Sequence, residues 1–277
     1  MAESVDAADL KSAGRKTLGV QVPLWVPHLS SFMSRFKLTI EYDGTGYHGW
    51  QRQNNLPTIQ GEIEAAIKNV VQKSVDLSIA GRTDAGVHAL AQVAHVDIET
   101  GISPDKLRLA INHFLAHKGI AVLNCEHAPD DFHARFNAKA RSYTYKIINR
   151  RAPLTLDKNR AYHIARPINV LAMQKAALYL LGTHDFSTFR DSECQAQSPI
   201  KTLDILEIFQ HKENITIFCK SKSFLHHQVR NMVGSLCLVG LDKWTPEDLK
   251  KALEEKDRTK GGPTAPACGL YFVSVDY

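Results

Sequence analysis

Hydrophobic residues in this chain keep switching between two periods, and the switching recurs in both halves. Runs of period two, such as Phe36-Lys-Leu-Thr-Ile-Glu-Tyr42, place successive side chains on opposite faces and predict strands. Ile59, Ile63, Ala66, Ile67, Val70 and Val71 instead form one stripe at helical spacing, behind Thr58 as a capping residue. Neither kind of element can bury its apolar face alone, so interleaved strands and helices must pack in layers as an α+β fold. The first half continues with strands over Val75–Ile79, Val93–Ile98 and Ile120–Glu126. Ser103 as cap and Pro104 at the first turn predict a helix through about Ala116. The second half repeats the style. Strands are expected at Arg141–Asn149, Leu203–Phe209, Ile215–Lys220 and Gly269–Val275. Helices are expected at Asn169–Leu181, stopped by Gly182, at about His226–Val239, and after Thr245-Pro246. Two α+β halves follow, spanning residues 35–138 and 139–277. Residues 1–34, broken by Pro23, Pro27 and several serines, read as an irregular extension.

Composition narrows the class. Of 277 residues, 44% are hydrophobic and 23% charged, which excludes fibrous, collagenous and disordered chains. A chain this long buries a core without metal or disulfide staples. Cys125, Cys194, Cys219, Cys237 and Cys268 are odd in number, widely spaced and free of C-x-x-C, which fits a reducing, cytoplasmic setting. No apolar run approaches the roughly 20 residues a membrane span needs. The start, Met1-Ala-Glu-Ser-Val-Asp, has neither the basic and apolar regions of a signal peptide nor the acid-poor character of a transit peptide. Net charge is +5, a surplus that permits an acidic partner such as nucleic acid without naming one. The first 32 residues are charge-balanced, so the surplus lies beyond them.

Several chemistries lack a foothold. Gly44-x-Gly46-x-x-Gly49 matches a dinucleotide fingerprint in letters, but Trp50–Pro57 intervenes before any helix, so no helix N-terminus meets a pyrophosphate. These glycines read as turn residues. Tyr47, Trp50 and Arg52 around them suit a surface for bases and phosphates, with packing the ordinary fate of Trp50. Thirteen histidines include no H-E-x-x-H and no His/Cys cluster. His226 and His227 are adjacent and cannot both face one point on a helix, so no catalytic metal is expected. No G-x-S-x-G motif supports acyl transfer.

The informative segment is Ala80-Gly-Arg-Thr-Asp-Ala-Gly-Val-His88. Its glycines and its lack of apolar runs predict an exposed loop that presents Asp84. Arg82 could simply pair with Asp84 across a tight turn. A nearby arginine keeps a carboxylate ionised, as a nucleophile or general base requires. Arg230 lies within an apolar helical run and needs a partner or a cleft, and Asp84 is one candidate.

Taken together, these segments resemble the TruA family of tRNA pseudouridine synthases. The matching pieces are Glu41-Tyr-Asp-Gly44 with Gly49-Trp-Gln-Arg-Gln53, Ala80–His88, Asp130-Asp-Phe-His-Ala-Arg135-Phe136, and Arg141-Ser-Tyr143-Thr-Tyr145. They continue with His184-Asp-Phe186, Phe189-Arg190, His227-Gln-Val-Arg-Asn-Met-Val-Gly234, Lys256-Asp-Arg258 and Ala267-Cys-Gly269-Leu-Tyr271, in the family's order. The resemblance implies two similar α/β subdomains with mixed sheets flanked by helices and a catalytic cleft between them. It implies a homodimer, the anticodon arm of tRNA as substrate, and conversion of uridines 38, 39 and 40 to pseudouridine without cofactor or metal. It places the catalytic aspartate at Asp84 and the base-stacking tyrosine at Tyr143. Arg230 takes the role of partner to Asp84, and Arg82 that of exposing the target nucleotide. Arg135 and Arg141 are expected to join them around the same cleft and to contact substrate. The family begins shortly before its first strand, so Met33-Ser-Arg-Phe36 resembles such a start, and residues 1–32 read as either dispensable or an artefact of start-codon choice.

Overall fold

The computed structural model describes residues 32–277. The remainder of the predicted extension lies outside the described residues. Strand β1 (Phe32–Tyr42) begins before the predicted Phe36, because its pairing with β3 (His88–Thr100) continues out to Phe32 opposite Thr100. Residues 32–34 are therefore strand, not irregular chain. Along β1, Phe36, Leu38, Ile40 and Tyr42 are buried while Lys37, Thr39 and Glu41 are more open, as a sheet covered on one face requires.

Helix α1 (Ile59–Val71) opens where Thr58 accepts a hydrogen bond from the Gly61 N–H, and it buries Ile59, Ile63, Ala66 and Ile67. A short strand β2 (Ser78–Ile79) pairs with β3. Helix α2 (Pro104–Phe114) starts at Pro104 as expected, but Ser103 makes no side-chain cap. Strand β4 (Ile120–His127) closes the outer edge of this half against β1.

The second half opens with β5 (Ala140–Asn149), beside which a short β6 (Tyr162–Ile164) runs parallel. The predicted helix over 169–181 is split. Asn169 caps α3 (Val170–Ala177), a 3-10 turn follows over Leu178–Leu180, and Gly182, at φ +91°, starts strand β7 (Gly182–Asp185). Strands β8 (Ile200–His211) and β9 (Asn214–Ser221) form a hairpin. Helix α4 (Gln228–Gly240) is nearly all buried, and α5 (Pro246–Glu255) carries a full capping box between Thr245 and Asp248. Neither β6 nor β7 is predicted, since three or four residues of strand leave no readable alternation.

The last strand, β10 (Leu270–Asp276), joins the halves. It runs antiparallel to β5 and, at Tyr271 and Phe272, parallel to β3. Ten strands thus form one sheet whose main path is β4-β1-β3-β10-β5-β9-β8-β7, with β2 on β3 and β6 on β5. The strand pattern and flanking helices are the expected α+β class. The seam between halves falls at β3, β10 and β5.

His95, buried on β3, shows how this frame depends on pH. Its Nδ1 accepts the Ala134 N–H at 3.2 Å, which ties down the segment leading into the second half. Burial, reinforced by His133 and Arg35, pushes its pKa down to about 4. The unfolded chain, with His95 near 6.5, therefore binds more protons over that interval. Stability is expected to be fully present above about pH 6.5 and to fall as pH drops toward about 4. Denaturant unfolding across this range should show that slope, and His95→Gln should flatten it. An unchanged slope would refute the assignment.

Candidate active site

The Ala80–His88 loop leaves β2 and re-enters the sheet at β3. Ala80 donates its N–H to Val93 O, and Gln92 donates to Gly81 O, so both flanks of the entry are fixed. Val87 N–H closes a turn onto Asp84 O, with Gly86 at φ +77°, a conformation that favours glycine. Thr83 points inward and shares a 2.6 Å hydrogen bond with Tyr42 Oη, while Thr83 O accepts the Trp50 N–H at 3.0 Å. The 43–50 loop thus clamps the 80–88 loop. A Cβ at Gly44 would meet Val87 O at 2.1 Å, and one at Gly49 would meet Thr83 O at 2.8 Å. These two glycines permit close backbone approach, which explains the fingerprint-like spacing without a nucleotide.

Of the three residues expected to suit a surface for bases and phosphates, Trp50 takes its ordinary fate of packing, while Arg52 stays exposed. Trp50 is buried against Tyr42, Tyr47 Oη donates to Lys118 O, and Arg52 pairs with Glu64 at 2.9 Å.

Asp84 is held from the other half of the chain. Arg230 Nη1 donates to Asp84 Oδ2 at 2.9 Å. Arg230 itself is fixed at the start of α4, where its Nε donates to Ala265 O and its own carbonyl accepts the Ala265 N–H. The 262–265 segment can come this close only because Gly234 lacks a side chain, as a Cβ there would lie 1.7 Å from Pro263 O. The alternative partner fails: Arg82 is exposed and makes no ion pair with Asp84.

Two histidines complete the surroundings of Asp84. His226 Nε2 lies 3.3 Å from Oδ1, and His227 Nε2 lies 3.0 Å from Oδ2. Behind them stands Asp191. Its Oδ2 is 2.6 Å from His227 Nδ1, and its Oδ1 is 3.6 Å from His226 Nδ1. Burial alone would raise the Asp191 carboxyl, but the Glu193 N–H and then His227 hydrogen-bond it and hold it below its ordinary value. The expectation that adjacent histidines cannot share a focus was wrong, for a local reason. Both precede α4, and His227 sits at φ +60°, ψ 2° as its N-cap, which swings the two rings together at 4.0 Å between centroids. Among the described residues, Asp84, His226 and His227 each offer one ligand atom within 4.8 Å of the others. Asp191 was not anticipated at all. The only hint lay in its position directly after Phe189-Arg190.

The remaining expected residues separate. Tyr143 lies on β5, 9% exposed, edge-on to Phe224 and Phe272, with Gly81 beside its hydroxyl. Burial pushes its phenol well above the ordinary value, and the Asp84 charge adds to that, so Tyr143 is neutral and within electrostatic reach of the carboxylate. Arg135 is exposed, with its guanidinium 5.7 Å from the Phe136 ring. Arg141 does not fit the expected substrate contact. Its half-buried guanidinium donates to the carbonyls of Ala80, Arg135 and Lys222. Those bonds make it a staple between the Asp84 loop, the crossing segment and the end of β9.

Arg141→Lys cannot reproduce that fork and is expected to destabilise the chain by about 1–3 kcal/mol, since the part-buried Ala80 carbonyl loses both its side-chain donors. Arg135→Ala should stay within about 0.5 kcal/mol of the parent, as exposed substitutions usually do. Chemical denaturation of both variants measures this. Equal stability of the two would contradict the staple.

The geometry can be set beside known proteins. A family model described as tRNA pseudouridine synthase matches residues 38–137 and 176–277. The tRNA pseudouridine synthase A of Paramagnetospirillum magneticum is 53% identical over 245 residues, covering 88% of this chain and 96% of the relative. That of Maricaulis maris is 50% identical, covering 88% and 98%. That of Nitrobacter hamburgensis is 52% identical, covering 88% and 100%. Among solved structures, a Cbf5-Nop10-Gar1 complex aligns over 85% of this chain and 57% of that chain, at 10% identity and a TM-score of 0.31. A glycine-flanked aspartate gripped by an arginine across the seam, carried on a chain matched nearly end to end by such relatives, places this protein in the tRNA pseudouridine synthase family, the isomerases that turn uridine into pseudouridine in tRNA.

Proposed function

We propose that this chain isomerises uridines 38, 39 and 40 in the anticodon arm of tRNA, with Asp84 as its catalytic carboxylate. The observation that carries the reading is the placement of Asp84. It is 24% exposed, lies on a loop clamped from both flanks, and is paired with Arg230 from the opposite half. The reaction breaks C1′–N1, turns the base and joins C1′ to C5. The C5 proton is lost and N1 gains one, so nothing is oxidised and no cofactor is called for. Asp84 acts on the ribose, by attack at C1′ or by taking a sugar proton, much as carboxylates serve glycosidases at the anomeric carbon. Arg230, donating to Oδ2 at 2.9 Å, fixes that carboxylate in direction.

The target uridine must leave its stack at a cost of a few kcal/mol. Tyr143 offsets part of this by stacking on the uracil, at about 1–3 kcal/mol per base. Arg82, exposed and two residues from Asp84, is free to help turn out the nucleotide, and exposed Arg135 can meet a phosphate. The halves 35–138 and 139–277 form the walls of the cleft. A homodimer in which each tRNA touches both chains, working in the cytoplasm, completes the proposal. No helix among the described residues is long and apolar enough to cross a membrane.

Asp84→Asn preserves shape and one hydrogen-bond acceptor but removes the charge. It should bind tRNA normally and form no pseudouridine above background, read by mapping modified positions in tRNA incubated with and without the protein. Residual activity near the parent level, or modification outside the anticodon arm, would defeat the proposal. Tyr143→Phe keeps the ring and should retain most activity.

A further inference from the structure

We propose that Asp84, His226 and His227 form an inhibitory binding site for a late first-row divalent cation, for which Zn2+ is the natural fit. The ligand atoms are already gathered: one from each of Asp84, His226 and His227 lies within 4.8 Å of the others. His227 Nε2 stands 3.0 Å from Asp84 Oδ2, and His226 Nε2 stands 3.3 Å from Oδ1. On the far side of the ring, Asp191 Oδ2 accepts a hydrogen bond from His227 Nδ1 at 2.6 Å, so Nε2 is the nitrogen that faces Asp84.

The dimensions suit a metal. Zinc binds imidazole nitrogen and carboxylate oxygen at about 2.0–2.2 Å, so ligands at tetrahedral angles stand roughly 3.3 Å apart. Two histidines and one carboxylate leave a fourth position, the open form of such a site. Asp191 supplies the outer carboxylate that orients a ligating histidine and fixes its tautomer. Charge favours the ion as well. Two carboxylates, Asp84 and Asp191, stand against one guanidinium, Arg230, which donates to Oδ2 and leaves Oδ1 open toward His226. All four residues are partly exposed, so an ion can enter from solvent. Once bound, it would occupy the oxygen and the space that the ribose needs. The inhibitory consequence rests on the role proposed for Asp84, but binding does not.

The test uses full-length protein stripped with chelator and titrated with Co2+, whose visible absorption strengthens in low-coordinate sites. We expect one Co2+ per chain, displaced by Zn2+. Asp84→Asn, His226→Gln and His227→Gln should each weaken binding roughly tenfold or more, and Asp191→Asn about 10- to 100-fold, the range for an outer partner of a ligating histidine. Cys194 lies close, its sulfur accepting the His226 N–H at 3.4 Å, so Cys194→Ser is the control and should bind normally. Absent Co2+ absorption, wild-type affinity in both histidine variants, or loss of binding in Cys194→Ser would each overturn the site. Zn2+ should also suppress pseudouridine formation in step with occupancy, reversibly on adding chelator. Bound metal with undiminished activity would overturn the inhibitory role. A protein that binds Co2+ yet makes no pseudouridine would refute the function proposed for Asp84 and leave the metal site standing.

Discussion

The final strand of the chain sets the terms for everything else. Hydrogen bonding of β10 to β3 on one side and β5 on the other makes a single sheet from two halves that each fold around their own helices. That strand, with cross-links such as Arg141 to Ala80 O, sets the Asp84 loop and the N-terminus of α4 in one frame. Their approach at 2.9 Å, across 146 residues of sequence, requires a rigid frame, because a salt bridge between partly exposed groups is worth too little to create one. The ion pair is a consequence of the sheet.

Around this seam the protein spends its small residues on closeness. Gly44 and Gly49 let one loop lie on another, and Gly234 lets the 262–265 segment lie on α4. Each close approach fixes a member of the Asp84–Arg230 pair indirectly, the first two through the Asp84 loop and the third through Arg230. Arg141 does similar work with a large side chain, spending its donors on backbone carbonyls. An arginine near an active site is therefore not always a ligand for substrate. Of Arg82, Arg135, Arg141 and Arg230, only Arg230 is seen to touch the aspartate.

Much of this was legible in the residues. Long elements with a clear period, β1, α1, β9 and α5, lie close to where the residues predict them, and the α1 stripe of Ile59, Ile63, Ala66 and Ile67 is its buried face, because burial on one side imposes that period directly. The short strands β6 and β7 were not visible, and the predicted helix over 169–181 broke early into a 3-10 turn. At the site, Asp84 and its pairing with Arg230 followed from the glycine-flanked loop and from an arginine stranded in an apolar run. Helical spacing misplaces the histidine pair, because α4 begins at Gln228, two residues beyond the predicted His226. His227 sits instead in the left-handed region just before α4.

By itself, then, the sequence determined the α+β class, the presented carboxylate and the membership implied by an ordered set of motifs, since these rest on local period and local chemistry. Only the tertiary structure decided that the sheet is continuous, that Asp191 stands behind two histidines aimed at Asp84, that Trp50 is buried, and that Arg141 is a staple. Those outcomes depend on which distant segments meet. Neither propensity nor spacing encodes that, because it is settled by the packing of β10 between β3 and β5.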